Sequence, residues 1–225
     1  TPWNIKDLPH LDAVILSHDH YDHLDYGTIL KLKEVTDKFY VPLGVDAHLK
    51  SWGIDSMDIV VADWWDEFSM NDIQFVCAPA RHFSGRGILD RNETLWASWI
   101  VSKGNTRLYF SGDSGYGPHF KEIGEKFGPF QLAMMECGQY DMRWNNIHMM
   151  PEETARAAKD LNARHLMPIH WGAFTLALHS WTDPADRVVE AANKLGMHVA
   201  TPVIGLSFTL EEMSTLNKPW WRFEP

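Results

Sequence analysis

Between residues 18 and 23 the chain reads His-Asp-His-Tyr-Asp-His, and His18, His20, Asp22 and His23 within it are each of metal-ligand type. In an extended loop alternate residues point the same way, so His18 and His20 can grip one ion. Asp22 and His23 lie one step further along and can reach a second. A lone histidine is more often structural than a ligand, but so tight a cluster straight after an apolar run is hard to explain as a polar surface loop. A zinc site draws further ligands from elsewhere in the chain. His82, Asp113 and His170 are the candidates, each just past an expected strand. Asp19, between the two histidines, reads as a loop or supporting residue.

The elements around these residues follow from hydrophobic period and punctuation. Leu11 to Ser17 is a short apolar run, expected as a buried strand that delivers the chain into the His18–His23 loop. Helical spacing is expected over Thr28–Lys38 and Asp46–Trp52, the latter closed by Gly53. Strands are expected at Tyr40–Leu43, Asp58–Ala62, Glu67–Met70, Ile73–Pro79, Leu95–Ser102 and Thr106–Ser111, with a hairpin turn at Lys103-Gly104-Asn105. The second half alternates: helix Phe120–Phe127, strand Leu132–Glu136, helix Pro151–Leu161, strand His165–Ile169, helix Pro184–Leu195 and a last strand Val203–Leu210. Proline and acids at the start of the Pro151 helix suit its N-terminus. Strands in clusters separated by amphipathic helices predict an α/β protein of stacked sheets flanked by helices.

The 225 residues suit one domain, 1–225, and 45% hydrophobic content is enough for a sizeable core. A formal net charge of -10 argues against nucleic acid as a partner, since a basic footprint is expected there. Cys77 and Cys137 sit in apolar, strand-like runs and are expected as buried thiols. No apolar stretch is long enough to span a bilayer, and no basic amphipathic helix stands out. The chain starts at Thr1 without a signal peptide, which predicts a processed or truncated start and leaves localisation open. The aromatic end, Pro219-Trp220-Trp221-Arg222-Phe223, is expected to tuck against the domain.

The run His18-Asp19-His20-Tyr21-Asp22-His23 resembles the HxHxDH signature of the metallo-β-lactamase superfamily, and the later His, Asp and His follow in that family's order over about Leu11 to Leu210. Within the superfamily the chain looks most like N-acyl-phosphatidylethanolamine phospholipase D and its bacterial relatives. The segments that carry this closer likeness are Leu95-Trp96-Ala97-Ser98-Trp99, Phe110-Ser111-Gly112-Asp113-Ser114-Gly115-Tyr116, Glu122 to Phe130, and Ile169-His170-Trp171-Gly172-Ala173-Phe174. The resemblance implies an αββα sandwich. It implies one metal held by His18, His20 and His82, a second held by Asp22, His23 and His170, and Asp113 bridging them. Members of the family have several strands before the HxHxDH loop, whereas only seventeen residues precede His18 here, so the first sheet is expected to be N-terminally incomplete.

Two dications sharing a water make it nucleophilic near neutral pH, and no Ser or Cys nucleophile is needed; no GxSxG elbow is present. Zinc suits a His-rich, carboxylate-bridged set, while manganese or iron can occupy such ligands too. The expected activity is a phosphodiesterase of the phospholipase D type, with Asp113 and His148 in the chemistry. His148, just before a helix, either binds substrate phosphate, protonates the leaving group, or simply bonds backbone at the helix entry. Arg81 and Arg86 either face an anionic substrate or are surface charge. Trp144 either walls the substrate pocket or packs. The remaining histidines (10, 48, 119, 165, 179 and 198) are expected to pack or to lie on the surface. The rival within the fold is hydrolysis of a lactone, a thioester or another phosphodiester; the rival outside it is a non-catalytic metal-binding module. A lipid substrate implies peripheral membrane contact, for which Trp52, Trp64-Trp65 or Trp144 offer apolar surface.

Overall fold

The computed structural model describes residues 4–222. Phe223, part of the aromatic tail, lies outside them. Strand β1 (Leu11–Ile15), helix α1 (Tyr26–Leu32), β2 (Thr36–Pro42), α2 (Asp46–Ser51) and β3 (Ile59–Ala62) form a first layer pair. Its sheet is parallel, in the order β1-β2-β3. A second sheet follows: β4 (Glu67–Met70), β5 (Ile73–Ala78), β6 (Ser98–Lys103) and β7 (Thr106–Phe110) run antiparallel. It continues in parallel through β8 (Leu132–Glu136), β9 (His165–Ile169) and the short β10 (His198–Val199). Helices α3 (His119–Phe127), α4 (Pro151–Asp160) and α5 (Asp183–Lys194) make the crossovers.

Alternation along the strands builds the layers. In β2, Phe39 and Val41 join Ile29 and Leu49 under α1 and α2, while Tyr40 points the other way. Tyr40 meets Phe75, Cys77 and Trp99 of the second sheet, with the Tyr40 and Phe75 rings stacked at 4.6 Å. On the far side of that sheet Tyr109 and Met135 pack under Phe120, Ile123, Ala155 and Val188 of the three helices. The result is helix, sheet, sheet, helix. Leu132, Met134 and Met167 face inward beyond the reach of the first sheet, and Phe208, Leu210 and Met213 of the C-terminal segment cover them.

Two expected elements are corrected. The helix expected over Thr28–Lys38 ends at Leu32, and Thr36 already begins β2. β2 is the central strand of its sheet, bonded on both edges, and its Thr, Phe, Tyr and Val residues fit a pleated surface. The strand expected at Val203–Leu210 does not form. Pro202 supplies no N–H, Gly205 has φ +90°, and Val203, Ile204 and Leu206 stand half-exposed; the last strand is β10 instead. Cys77 and Cys137 are buried free thiols. The tail tucks as expected as far as it is described: Trp220 and Trp221 each pack on Trp171 at 5.4 Å, and Trp221 Nε1 donates to Asp186. Among the described residues no helix is long and apolar enough to cross a membrane.

Candidate metal centre

The ends of β1, β5, β7 and β9 each hand the chain to one candidate ligand segment. β1 is pinned where it ends: Trp99 Nε1 donates to the Leu16 carbonyl, and Ala97 N donates to the Ser17 carbonyl. The loop then turns tightly, with the His23 and Leu24 amides both donating to the His20 carbonyl, and Leu24 is fully buried. Asp19 is buried and braces this loop from below. Its two oxygens accept from Gly85 N at 2.8 Å and Thr94 Oγ1 at 3.0 Å. Arg86 donates to the Asp19 and Leu24 carbonyls at 2.6 and 2.7 Å. Arg81 donates to the Tyr116 carbonyl and to Asn146 Oδ1. Both guanidinium groups therefore clamp loops rather than face a ligand.

Gly112 brings Asp113 under the same loop. It sits at φ +55°, and a Cβ there would lie 2.7 Å from the Ser17 Cβ and 2.8 Å from the Ala97 carbonyl. His170, after β9, also has a positive φ, +61°, uncommon for a residue with a side chain. Its carbonyl packs against Gly138, where a Cβ would collide with it.

Seven side chains converge from these segments. His18 Nε2 lies 3.0 Å from His20 Nδ1, and His82 Nε2 lies 3.2 Å from the same atom. Beside them His23 Nε2 is 3.3 Å from His170 Nε2, which is 3.2 Å from Asp22 Oδ2. Asp113 stands between the groups: its Oδ2 is 3.8 Å from His18 Nε2, 3.9 Å from His82 Nε2 and 3.1 Å from His23 Nε2. Its Oδ1 lies 3.3 Å from His170 Nδ1, and both atoms lack a hydrogen-bond partner.

The donor set fits metal ions on the chain's own chemistry. Three ring nitrogens meeting at hydrogen-bond length cannot all be satisfied by one another, whereas a cation satisfies them together. The outer nitrogens are already fixed. His82 Nδ1 lies 3.0 Å from the Ile147 carbonyl, and His18 Nδ1 lies 3.0 Å from Ser17 Oγ, leaving each Nε2 turned into the cluster. The electrostatics agree. Burial, reinforced by the neighbouring His23, holds His18 well below the usual imidazole range, and burial takes His82 down to about 3, so both stay neutral. Burial alone would lower His23, but the Asp113 and Asp22 carboxylates outweigh it and push it up to about 10. Burial alone would raise Asp113, but His23 and His170 hold it well below the carboxylate range. Asp22 is likewise held down, its bonds to His170 and His23 overcoming burial.

A cavity of about 270 Å³ opens on the cluster, lined by His20, His82, Phe83, Gln139, Trp144, Ile147, His148 and Leu176. Trp144 thus forms a wall, its Nε1 anchored on the Gln139 carbonyl. A second cavity, about 290 Å³, lies on the far side of His170 between Trp171, Trp220 and the Val203–Leu206 segment.

The description "Beta-lactamase superfamily domain" is that of the family whose pattern matches residues 1–171. The chain belongs to the beta-lactamase superfamily. Its solved structural likenesses agree in fold: an isothiocyanate hydrolase from Delia radicum gut bacteria superposes with a TM-score of 0.70 at 21% identity, over 93% of this chain and 81% of that one. Among curated relatives, an uncharacterized protein of Mycobacterium tuberculosis is 45% identical over 98% of this chain and 60% of its own length. The N-acyl-phosphatidylethanolamine-hydrolyzing phospholipase D 1 of Caenorhabditis elegans is 38% identical over 84% of this chain and 57% of its own length. The chain therefore spans about 60% of the curated relatives it matches. The fold is that of this superfamily, and the His/Asp groups at its strand ends could hold metal ions.

Within this superfamily member, sequence reasoning missed the cavity walls Phe83, Gln139, Ile147 and Leu176, which come from three separate loops, after β5, β8 and β9. It also passed over Glu136, read only as the end of β8, although an acid closing the apolar run Leu132-Ala133-Met134-Met135 was a signal. Of the other histidines, His119 is half-buried against Ser114 Oγ and Phe120, and desolvation lowers it to about 4. Trp52 packs on Tyr26, Trp64 donates to the Trp96 carbonyl, and Trp65 stacks on Phe127; all three are half-buried.

Proposed function

We propose that this chain is a binuclear phosphodiesterase of the N-acyl-phosphatidylethanolamine phospholipase D type. The observation that carries the proposal is the position of Asp113. One oxygen reaches His18, His82 and His23 within 3.9 Å, joining the His18-His20-His82 group to the Asp22-His23-His170 group. Two divalent ions in those groups, zinc by the His-rich donor set, would supply Lewis acidity and an activated water.

The protein's part is positioning. His18, His20 and His82 would hold one ion and Asp22, His23 and His170 the other, with Asp113 shared. His148 lines the cavity beside His82, at 5.0 Å between ring centroids, where it meets the phosphoryl oxygens or the departing oxygen of a bound diester. Burial alone would lower its pKa, but the Glu136 carboxylate outweighs that and raises it, which suits a proton donor. Phe83, Trp144 and Leu176 give the cavity an apolar wall for an acyl-bearing substrate. Phe174, Leu176 and Leu178, on the segment after His170, are exposed and would meet a lipid surface from which such a substrate is drawn. The substrate class itself rests on likeness to the Caenorhabditis elegans enzyme.

The test is a metal-loaded assay of four substrates in parallel: an N-acyl-phosphatidylethanolamine, a bis-aryl phosphodiester, a lactone and a thioester. Turnover of the diesters is expected. Turnover confined to the lactone or thioester refutes the phosphodiesterase reading. Elemental analysis is expected to find close to two metals per chain, and a single ion would refute the binuclear reading.

A further inference from the structure

Glu136 closes β8 with its side chain fully buried. Its backbone is tied down on both sides: its N–H donates to Ser111 Oγ at 2.9 Å, and its carbonyl accepts from Thr154 Oγ1 at 2.9 Å. Oε1 accepts from the Met149 amide at 2.8 Å. Oε2 has no partner. A buried carboxylate with an oxygen to spare is costly unless a donor faces it. The one acceptor that Met149 N requires could come from a neutral amide, so backbone capping does not account for an acid here.

The facing group is His148. Its Nδ1 lies 3.6 Å from Glu136 Oε1, the oxygen that also takes the Met149 amide, and makes no hydrogen bond; a small rotation of either side chain brings it onto the carboxylate. The ring is held from two more sides, stacked on His170 at 5.7 Å and 18°, and edge-on to His82 at 5.0 Å. Catalytic hydrogen bonds are commonly long before substrate arrives and tighten in the complex. We propose that Glu136 is a positioning residue for His148: it takes the Nδ1–H, fixes the ring's tautomer and plane, and leaves Nε2 as the nitrogen turned to the cavity. The same logic governs histidines whose outer nitrogen is held by a carboxylate. The inference rests on the reading of His148 as a group that serves the reaction.

The experiment compares wild type with Glu136→Leu, and, should that fail to fold, with Glu136→Gln, whose neutral oxygen still serves Met149 N but is a weaker acceptor for His148 Nδ1 and is expected to give the same effects at smaller size. Each protein is metal-loaded, and metal content is measured first. Two diesters are then assayed, one with a nitrophenolate leaving group and one with an alkyl alcohol, and the tautomer of His148 is read from its ring ¹⁵N shifts. Removing Glu136 is expected to leave metal content unchanged and to shift the His148 nitrogen signature. It is expected to cut turnover of the alkyl diester by about 10–100-fold, the scale on which loss of such outer partners is felt. The nitrophenyl diester, which needs little help in departing, is expected to fall much less. Equal losses on both diesters, or an unchanged ¹⁵N signature, would overturn the proposal. If wild type cleaves neither diester, the phosphodiesterase reading fails while the ¹⁵N comparison still decides the role of Glu136.

Discussion

The imidazole of His170 lies 3.2 Å from the carboxylate of Asp22, although 148 residues separate them in the chain. That contact closes the cluster: it joins the loop after β1 to the loop after β9, from the two opposing sheets. It also defines what can be broken from a distance.

Asp113→Asn keeps the volume of the side chain and removes the charge shared by both groups. Metal affinity is expected to fall by more than the roughly 10–100-fold that loss of an outer partner costs. Activity should fall with it. Competition with a chelator, read by elemental analysis, measures the first and the diester assay the second.

Gly138→Ala places a methyl against the His170 carbonyl. Overpacking of this kind costs about 1–3 kcal/mol, and the backbone that yields carries a candidate ligand. Melting temperature and metal content are expected to drop together. Full metal occupancy with a lowered melting temperature would show that His170 is not needed as a ligand.

Asp19→Ala strips the Gly85 amide and the Thr94 hydroxyl of their buried acceptor. Each buried polar group left unpaired costs about 1–3 kcal/mol. Denaturant unfolding of the variant should show a loss on that scale, with metal stoichiometry kept, because Asp19 braces the loop without entering the cluster.

The metal-free protein should be most stable near pH 6.5, the ordinary imidazole value. His82 is lowered to about 3, so its contribution is present above 6.5 and is lost as pH falls toward 3. Asp22 and Asp113, held down, add a further loss at still lower pH. His23 is raised to about 10, so its contribution is full below 6.5 and is lost as pH rises through 10. A ligating imidazole must be deprotonated, so metal uptake near pH 7.5 should release a proton from His23. Titration calorimetry in two buffers of different ionisation enthalpy measures that release; none would contradict the His23 assignment.

The residue types themselves pointed to one place in the chain. Ligand types packed between His18 and His23, with His82, Asp113 and His170 each placed after a strand, identified the candidate centre, because metal-ligand chemistry admits few residue types and strand ends are legible from apolar runs. The exact spans of β4, β8 and β9 were legible for the same reason: short, strongly patterned runs bounded by turn residues. Val203–Leu210 misled because apolar character alone does not make a strand, and Pro202 and Gly205 leave it on the surface. Only the tertiary structure decided what meets what. It set Asp113 between two groups of histidines, spent Arg81 and Arg86 on loop carbonyls, assembled the cavity from Phe83, Trp144 and Leu176, and turned buried Glu136 toward His148. Those relationships depend on long-range packing of two sheets, and contacts between residues far apart in the chain leave no local period for a sequence to display.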